Sequence, residues 1–218
     1  MSIEGPSERG TVVTLTDELL AELGDPGLEQ IAGMLGTGTT TARDVVQAVS
    51  GVIIGGLAAN TRYLDGAEAL RGALDDHVDT DPFSGDVASL TRDGQSILGH
   101  VLGGQGTEHA AAGLARFAGI DSGSVMKLLP LIAPMVMSLL ADRAAGRDLD
   151  ADALADDLSR EQAAVPDDLS DLIDGLLSTI FGGGVPQQSG PYEPGPRAGG
   201  HGAPDGHELA PGSSNSDW

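Results

Sequence analysis

The densest chemistry in the chain lies in Asp75-Asp-His-Val-Asp-Thr-Asp81, where four carboxylates and one imidazole fall within seven residues and Asp86 follows closely. Oxygen donors at that density suit Ca²⁺ or Mg²⁺, and His77 would turn the preference toward a transition metal. The spacing of Asp75, Asp76, His77, Asp79 and Asp81 fits no defined binding loop. A solvated helix-to-loop junction is therefore the first reading of this segment, and a metal or small-ligand site is the alternative. His100 lies between Gly99 and Gly103. A general base needs a pocket and an orienting partner, and neither is visible in sequence, so a helix-packing or helix-end role is expected. His109, after Thr107-Glu108, reads as a surface residue. Asp148-Leu-Asp-Ala-Asp152 with Glu161 starts like a calcium loop, but Leu154 and Ala155 occupy positions that need a ligand and a glycine. Gly103-Gly-Gln-Gly106 follows no strand and reads as a helix-ending turn. There is no G-x-S-x-G, no phosphate-cradling loop followed by lysine and no H-E-x-x-H. No catalytic, cofactor-binding or metal residue is assigned, and no cofactor is expected.

The background to these residues is strongly acidic: 33 Asp and Glu against 11 Lys and Arg in 218 residues give a net charge of −22. Such a surface repels phosphate backbones and anionic headgroups, so nucleic acid is excluded as a partner and membrane association is only a third option. Cysteine is absent, which removes disulfides, thiol catalysis and Cys-based zinc sites. Met1 to Gly10 carries Glu4, Glu8 and Arg9 and no apolar run, unlike a signal peptide, and a cytoplasmic location is expected. The apolar stretches Val45 to Ala59 and Leu128 to Leu140 fall short of the roughly 18 to 20 residues of a membrane span, so both are expected to be buried helices. From Gly182 to Trp218 there are 10 Gly and 6 Pro, which predicts a disordered tail over 184–218. Residues 1–15 are expected to be weakly ordered.

The intervening 16–183 reads as one compact all-α domain. Thr16 to Gly24 forms a capped helix that stops on glycine, and Asp25-Pro26 starts another through Leu35. Thr39 to Thr41 offer hydroxyl caps for a long apolar helix to about Asn60. A helix over 65–76 precedes a loop from Val78 to Thr91. Further helices are expected at 94–103, 107–118, 122–145, 150–163 and 167–181, with Pro130 and Pro134 kinking the 122–145 helix or delaying its regular start. Ile31 to Asn60 laid on Leu114 to Arg143 preserves an order of short helix, Gly, hydroxyl cap and apolar helix. Two approximate repeats, about 28–104 and 111–183, are therefore expected to bury their apolar helices against each other. Asp142 to Asp174 holds 11 acids against Arg143, Arg147 and Arg160, which reads as a solvated helical face or a docking surface for a basic partner.

Two separated segments carry a family likeness. Asp93-Gly-Gln-Ser-Ile-Leu-Gly-His-Val-Leu-Gly-Gly104, followed by Ala118-Gly-Ile-Asp121 and Val125-Met-Lys-Leu-Leu-Pro-Leu-Ile-Ala-Pro-Met-Val-Met137, resembles the DUF937 family, the YidB-like bacterial proteins of uncharacterised function. The resemblance extends more weakly over about 28–145. It implies a small all-α bacterial protein and brings no catalytic residue, substrate or cofactor. The expected function is that of a non-enzymatic interaction protein or self-assembling scaffold, with a protein partner or a second copy as its ligand.

Overall fold

The computed structural model of the chain describes residues 13–75, 77–78, 82 and 86–182. Among the described residues there are eight α-helices and no strand: α1 (Leu15–Leu35), α2 (Thr39–Asn60), α3 (Leu64–Leu74), α4 (Val87–Val101), α5 (Gly104–Ala118), α6 (Ser122–Gly146), α7 (Ala151–Ala163) and α8 (Asp167–Phe181). The expected tail at 184–218 lies outside the described residues. At the other end, α1 begins at Leu15, inside the stretch expected to be weakly ordered. Its start is fixed by a capping box: the Asp17 N–H donates to the Thr14 hydroxyl at 3.1 Å while the Thr14 N–H donates to the Asp17 carboxylate at 3.1 Å.

The helices α2 and α6 form the centre. Ala48 to Ala58 of α2 are buried without interruption, so three turns of helix have neighbours on every side. Those neighbours are α1, α4, α5, α6, α7 and α8. The helix α6 is surrounded in turn by α1, α2, α3, α4 and α5. Leu128, Leu129, Ile132 and Leu140 of α6 have no measurable exposure. A fully buried side chain of this size contributes about 1.5–3 kcal/mol over an exposed one, which is why so apolar a pair organises the fold. With 22 and 25 residues, α2 and α6 are each long and apolar enough to cross a membrane, which corrects the shorter lengths expected from the apolar stretches alone. Their most apolar windows are 78% and 67% buried by the chain's own helices.

Small residues set the closest approaches. The helix α8 inserts Ile173 and Leu177 into the space that a Cβ at Gly51 or Gly55 of α2 would need, and its Leu176 and Ile180 do the same at Gly113 and Gly106 of α5. The helix α4 approaches α6 most closely at Gly94, where a Cβ would overlap the Pro130 carbonyl. That carbonyl has no donor within its own helix, because the residue four positions on is Pro134, which lacks an N–H. The hydrogen that replaces a Cβ at Gly94 points at the free oxygen, giving a Cα–H···O contact. The helix α6 thus runs from Ser122 through both prolines to Gly146, without the expected delay in its start.

Several boundaries differ from the sequence expectation for local reasons. The two helices expected on either side of Gly24 join as α1 across a break, where Gly24 takes φ 57° and ψ −172° and Pro26 sits near the new start. The cap of α2 is Gly38, with Thr39 to Thr41 already inside the first turn. The cap of α6 is Asp121, whose carboxylate accepts the Ser124 N–H at 2.9 Å. The helix α4 starts at Val87, within the expected loop, because Asp86 caps it by accepting the Ser89 N–H at 3.1 Å. The helix α5 starts at Gly104 behind Gly103, whose φ of 74° suits glycine.

Substituting Gly94→Ala is expected to cost more than about 3 kcal/mol, since the obstacle is backbone rather than a side chain that can turn aside. Gly99→Ala, on the same helix with nothing near its Cβ position, is expected to be neutral or to stabilise by up to about 1 kcal/mol. Urea unfolding followed by circular dichroism measures both. Similar values for the two variants would refute the contact at Pro130.

Candidate functional site

An apolar groove of about 510 Å³ lies where α1, α4 and α6 meet. One wall is α1 on both sides of its Gly24 break, with Leu23 before it and Ile31 and Met34 after it; the opposite wall is α6, with Leu128, Leu131, Ile132 and Met135. Val87 and Leu90 of α4 and the buried Pro82 complete it. The break at Gly24 lets the Pro26 half of α1 take its own direction, and the Gly94 approach holds α4 beside α6. Val87 remains 63% exposed on the rim. The polar groups in the lining are Glu22 and Gln30. This arrangement presents apolar surface and offers little to polarise a substrate.

A second constellation is ionic and buried. Arg143 near the end of α6 is 5% exposed in its side chain and pairs with Glu161 of α7, with Glu18 of α1 at 2.8 Å and with Asp157 of α7 at 3.5 Å. The Asp157 carboxylate also receives Arg147 at 3.4 Å and Arg160 at 3.3 Å. The other oxygen of Glu161 accepts the N–H of Leu15, the first residue of α1, at 2.8 Å. Burial by itself lowers the Arg143 pKa, but hydrogen bonds and charge from Glu161 and Glu18 outweigh it and hold the guanidinium above its ordinary value. The cluster ties α1, α6 and α7 together. It corrects the picture of Asp142 to Asp174 as a uniformly solvated face, because Asp157 and Glu161 point inward. Beside it a cleft of about 310 Å³ is lined by Asp17 and Glu161 among others, and both carboxylates are already bound to backbone N–H groups of the α1 start.

The residues singled out in sequence do not converge. Asp75 is exposed and paired with Arg71 one turn back on α3, whose Nε donates to the Leu149 carbonyl at 2.9 Å. Asp86 caps α4. His77 is half-buried, and Asp76, Asp79 and Asp81 lie outside the described residues. Among the described residues no group of three or more His, Asp or Glu side chains is arranged to hold a metal. His100 is exposed in the last turn of α4, with Nδ1 2.8 Å from the Ser96 carbonyl of its own helix, a helix-end placement. His109 is exposed on α5, and Gly103 to Gly106 form the start of that helix.

The family model described as a bacterial protein of unknown function, DUF937, matches residues 17–143, more than half of the chain. The chain belongs to this family. The DUF937 region runs from the first turn of α1 to Arg143 and so includes the α1, α4 and α6 walls of the groove. The helices α7 and α8 follow it, and with them the Asp157 and Glu161 partners of Arg143. No curated protein and no solved structure matches the chain.

Removing the positive charge at the centre of the ionic cluster leaves buried carboxylates uncompensated. Arg143→Gln is therefore expected to destabilise the fold by about 3–5 kcal/mol. Arg160→Gln, on a side chain that is 68% exposed, is expected to cost less than about 1 kcal/mol. Chemical denaturation of the two variants checks the contrast, and an Arg143→Gln loss no larger than the Arg160→Gln loss would contradict a structural role for the cluster.

Proposed function

We propose that the protein works by binding another protein and not by catalysing a reaction. The observation that supports this most directly is the groove of about 510 Å³, an apolar recess on a chain with a net charge of −22. A recess lined by Leu, Ile and Met on such a polar exterior is what a partner-binding surface needs. The titratable groups fit the same reading. The buried ones hold helices together, and His100 sits on the surface against its own helix.

The scaffold expectation changes in one respect. Gly51 and Gly55 of α2, whose spacing suits close helix association, are already occupied by Ile173 and Leu177 of the same chain. Self-assembly would therefore use surface other than this stripe, and an adaptor that engages a different protein is the form we favour. The reading also treats the two halves as copies. The starts of α2 and α6 are 83 residues apart and those of α4 and α8 are 80 apart. Exchanging the first four helices with the last four keeps most of the packing, with α4 on α6 answering α8 on α2, and α3 on α7 answering itself. What differs between the halves is the groove, formed with the first-half helices α1 and α4.

The test combines light scattering behind a sizing column with affinity capture from an extract of the source bacterium, using the full chain. A defined partner retained at a reproducible ratio, or a defined oligomer, is expected. A monodisperse 22.0 kDa monomer that retains nothing beyond a blank column would refute the proposal.

A further inference from the structure

The chemistry of the groove specifies its occupant more narrowly, and this inference rests on the partner-binding reading. We propose that the α1, α4 and α6 groove takes one amphipathic α-helix of a protein partner. Its apolar face, at i, i+3 or i+4 and i+7, enters the groove while Lys and Arg cover its other faces.

The length of the groove carries the first part. Leu128 to Met135, the stretch of α6 that lines it, covers seven residue steps or about 10.5 Å of helix, the same axial distance as i to i+7 on a docked helix. The lining carries the second. Met34 and Met135 are unbranched and polarizable, which lets the walls follow side chains of different outline. Leu131 and Met135 are only half-buried, so they are available to such contacts.

Charge carries the third part and separates the candidates. Glu22 lines the groove and no Lys or Arg does. Asp86, exposed and directly before the lining residue Val87, adds a second carboxylate. Arg143, Arg147 and Arg160 are held at Asp157, and Arg71 at Asp75. The nearest cations on the walls are Lys127, directly before Leu128 on α6, and Arg92, two residues after Leu90 on α4, and neither lines the groove. A second copy would bring its own charge of −22 to this rim. The segment 183–218 would bring Glu193, Asp205, Glu208 and Asp217 against Arg197. A cationic helix gains where both of these are repelled.

The probe is a labelled helical peptide of about 20 residues, with Leu and Met on one face and Lys on the others. Fluorescence anisotropy with the full chain is compared for three peptides: this one, a shuffled peptide of equal composition without an apolar face, and a version with Glu in place of Lys. The ordered Lys peptide is expected to bind at least about tenfold more tightly than either control. Leu131→Lys and Val87→Lys, each shown to be folded by its melting curve, are expected to weaken binding by about tenfold or more, while Tyr63→Lys on a distant exposed site has no such effect. Carbodiimide coupling is expected to join the peptide's lysines to Glu22. Equal binding of the shuffled peptide, or groove variants that bind as well as the parent, would overturn the proposal. Displacement of the probe by a synthetic peptide of residues 183–218, or a dimer of the full chain dissolved by Leu131→Lys, would also overturn it by naming another occupant. A partner captured equally by the parent and by Leu131→Lys would refute the groove and leave the broader reading standing, whereas capture by neither would refute both.

Discussion

Three turns of α2 have no face left for water, and this constraint orders everything around them. A helix that is apolar on all sides must be enclosed on all sides. The chain does this with six of its other helices, and α6, which is more apolar still, is the longest of them. The remaining helices can then be amphipathic, each giving one stripe to the central pair and one face to solvent. The acidic composition becomes tolerable for the same reason, since nearly all of the aspartate and glutamate is carried by these outer helices and by the connections.

The exceptions to that division are informative. Asp157 and Glu161 lie on the inner face of α7, at the helical spacing of Leu154 and Leu158, and they meet Arg143 on the inner face of α6. A buried ion pair adds little net stability over an apolar pair of the same shape, but it is costly to break and demanding in geometry. Here it selects the arrangement of α7 against the start of α1. Apolar packing fixes the distance between these elements, and the carboxylates fix their register.

Much of this was legible in the sequence where the signal is local. The bounds of α2, α6, α7 and α8 follow from apolar periodicity together with Asp, Gly and Pro at their ends. The first two turns of α4, before the expected start at 94, escaped because Val87, Ala88, Ser89, Arg92 and Asp93 face solvent and give no periodicity, leaving the Asp86 cap as the one local sign. The Arg143 cluster was half visible: acids at 157 and 161 fall on the same stripe as Leu154 and Leu158, a pattern that marks inward carboxylates. Their cation could not be named, because it sits on another helix. The groove was not legible at all, since it exists only through the relative placement of α1, α4 and α6; Leu23, Ile31, Leu128 and Ile132 read alone as ordinary core, and Pro82, Val87 and Leu90 read as loop. The Asp75 to Asp81 cluster was conspicuous for composition, and its one described carboxylate, Asp75, serves an ion pair, while Asp86 beyond it serves as a helix cap.

The paired prolines of α6 have a mechanical side. Pro130 and Pro134 each remove one backbone hydrogen bond, so the ladder of α6 lacks two neighbouring rungs, at the Met126 and Pro130 carbonyls. Both gaps lie at or beside the stretch from Leu128 to Met135. The bending stiffness of a helix resides largely in those rungs, and the most enclosed helix but one is therefore most compliant where it forms the wall of the groove. Gly94 sets the closest approach of α4 to that wall, within the most extensive helix–helix packing of the fold, so the stretch with the weakest ladder is the one whose shape α4 supports.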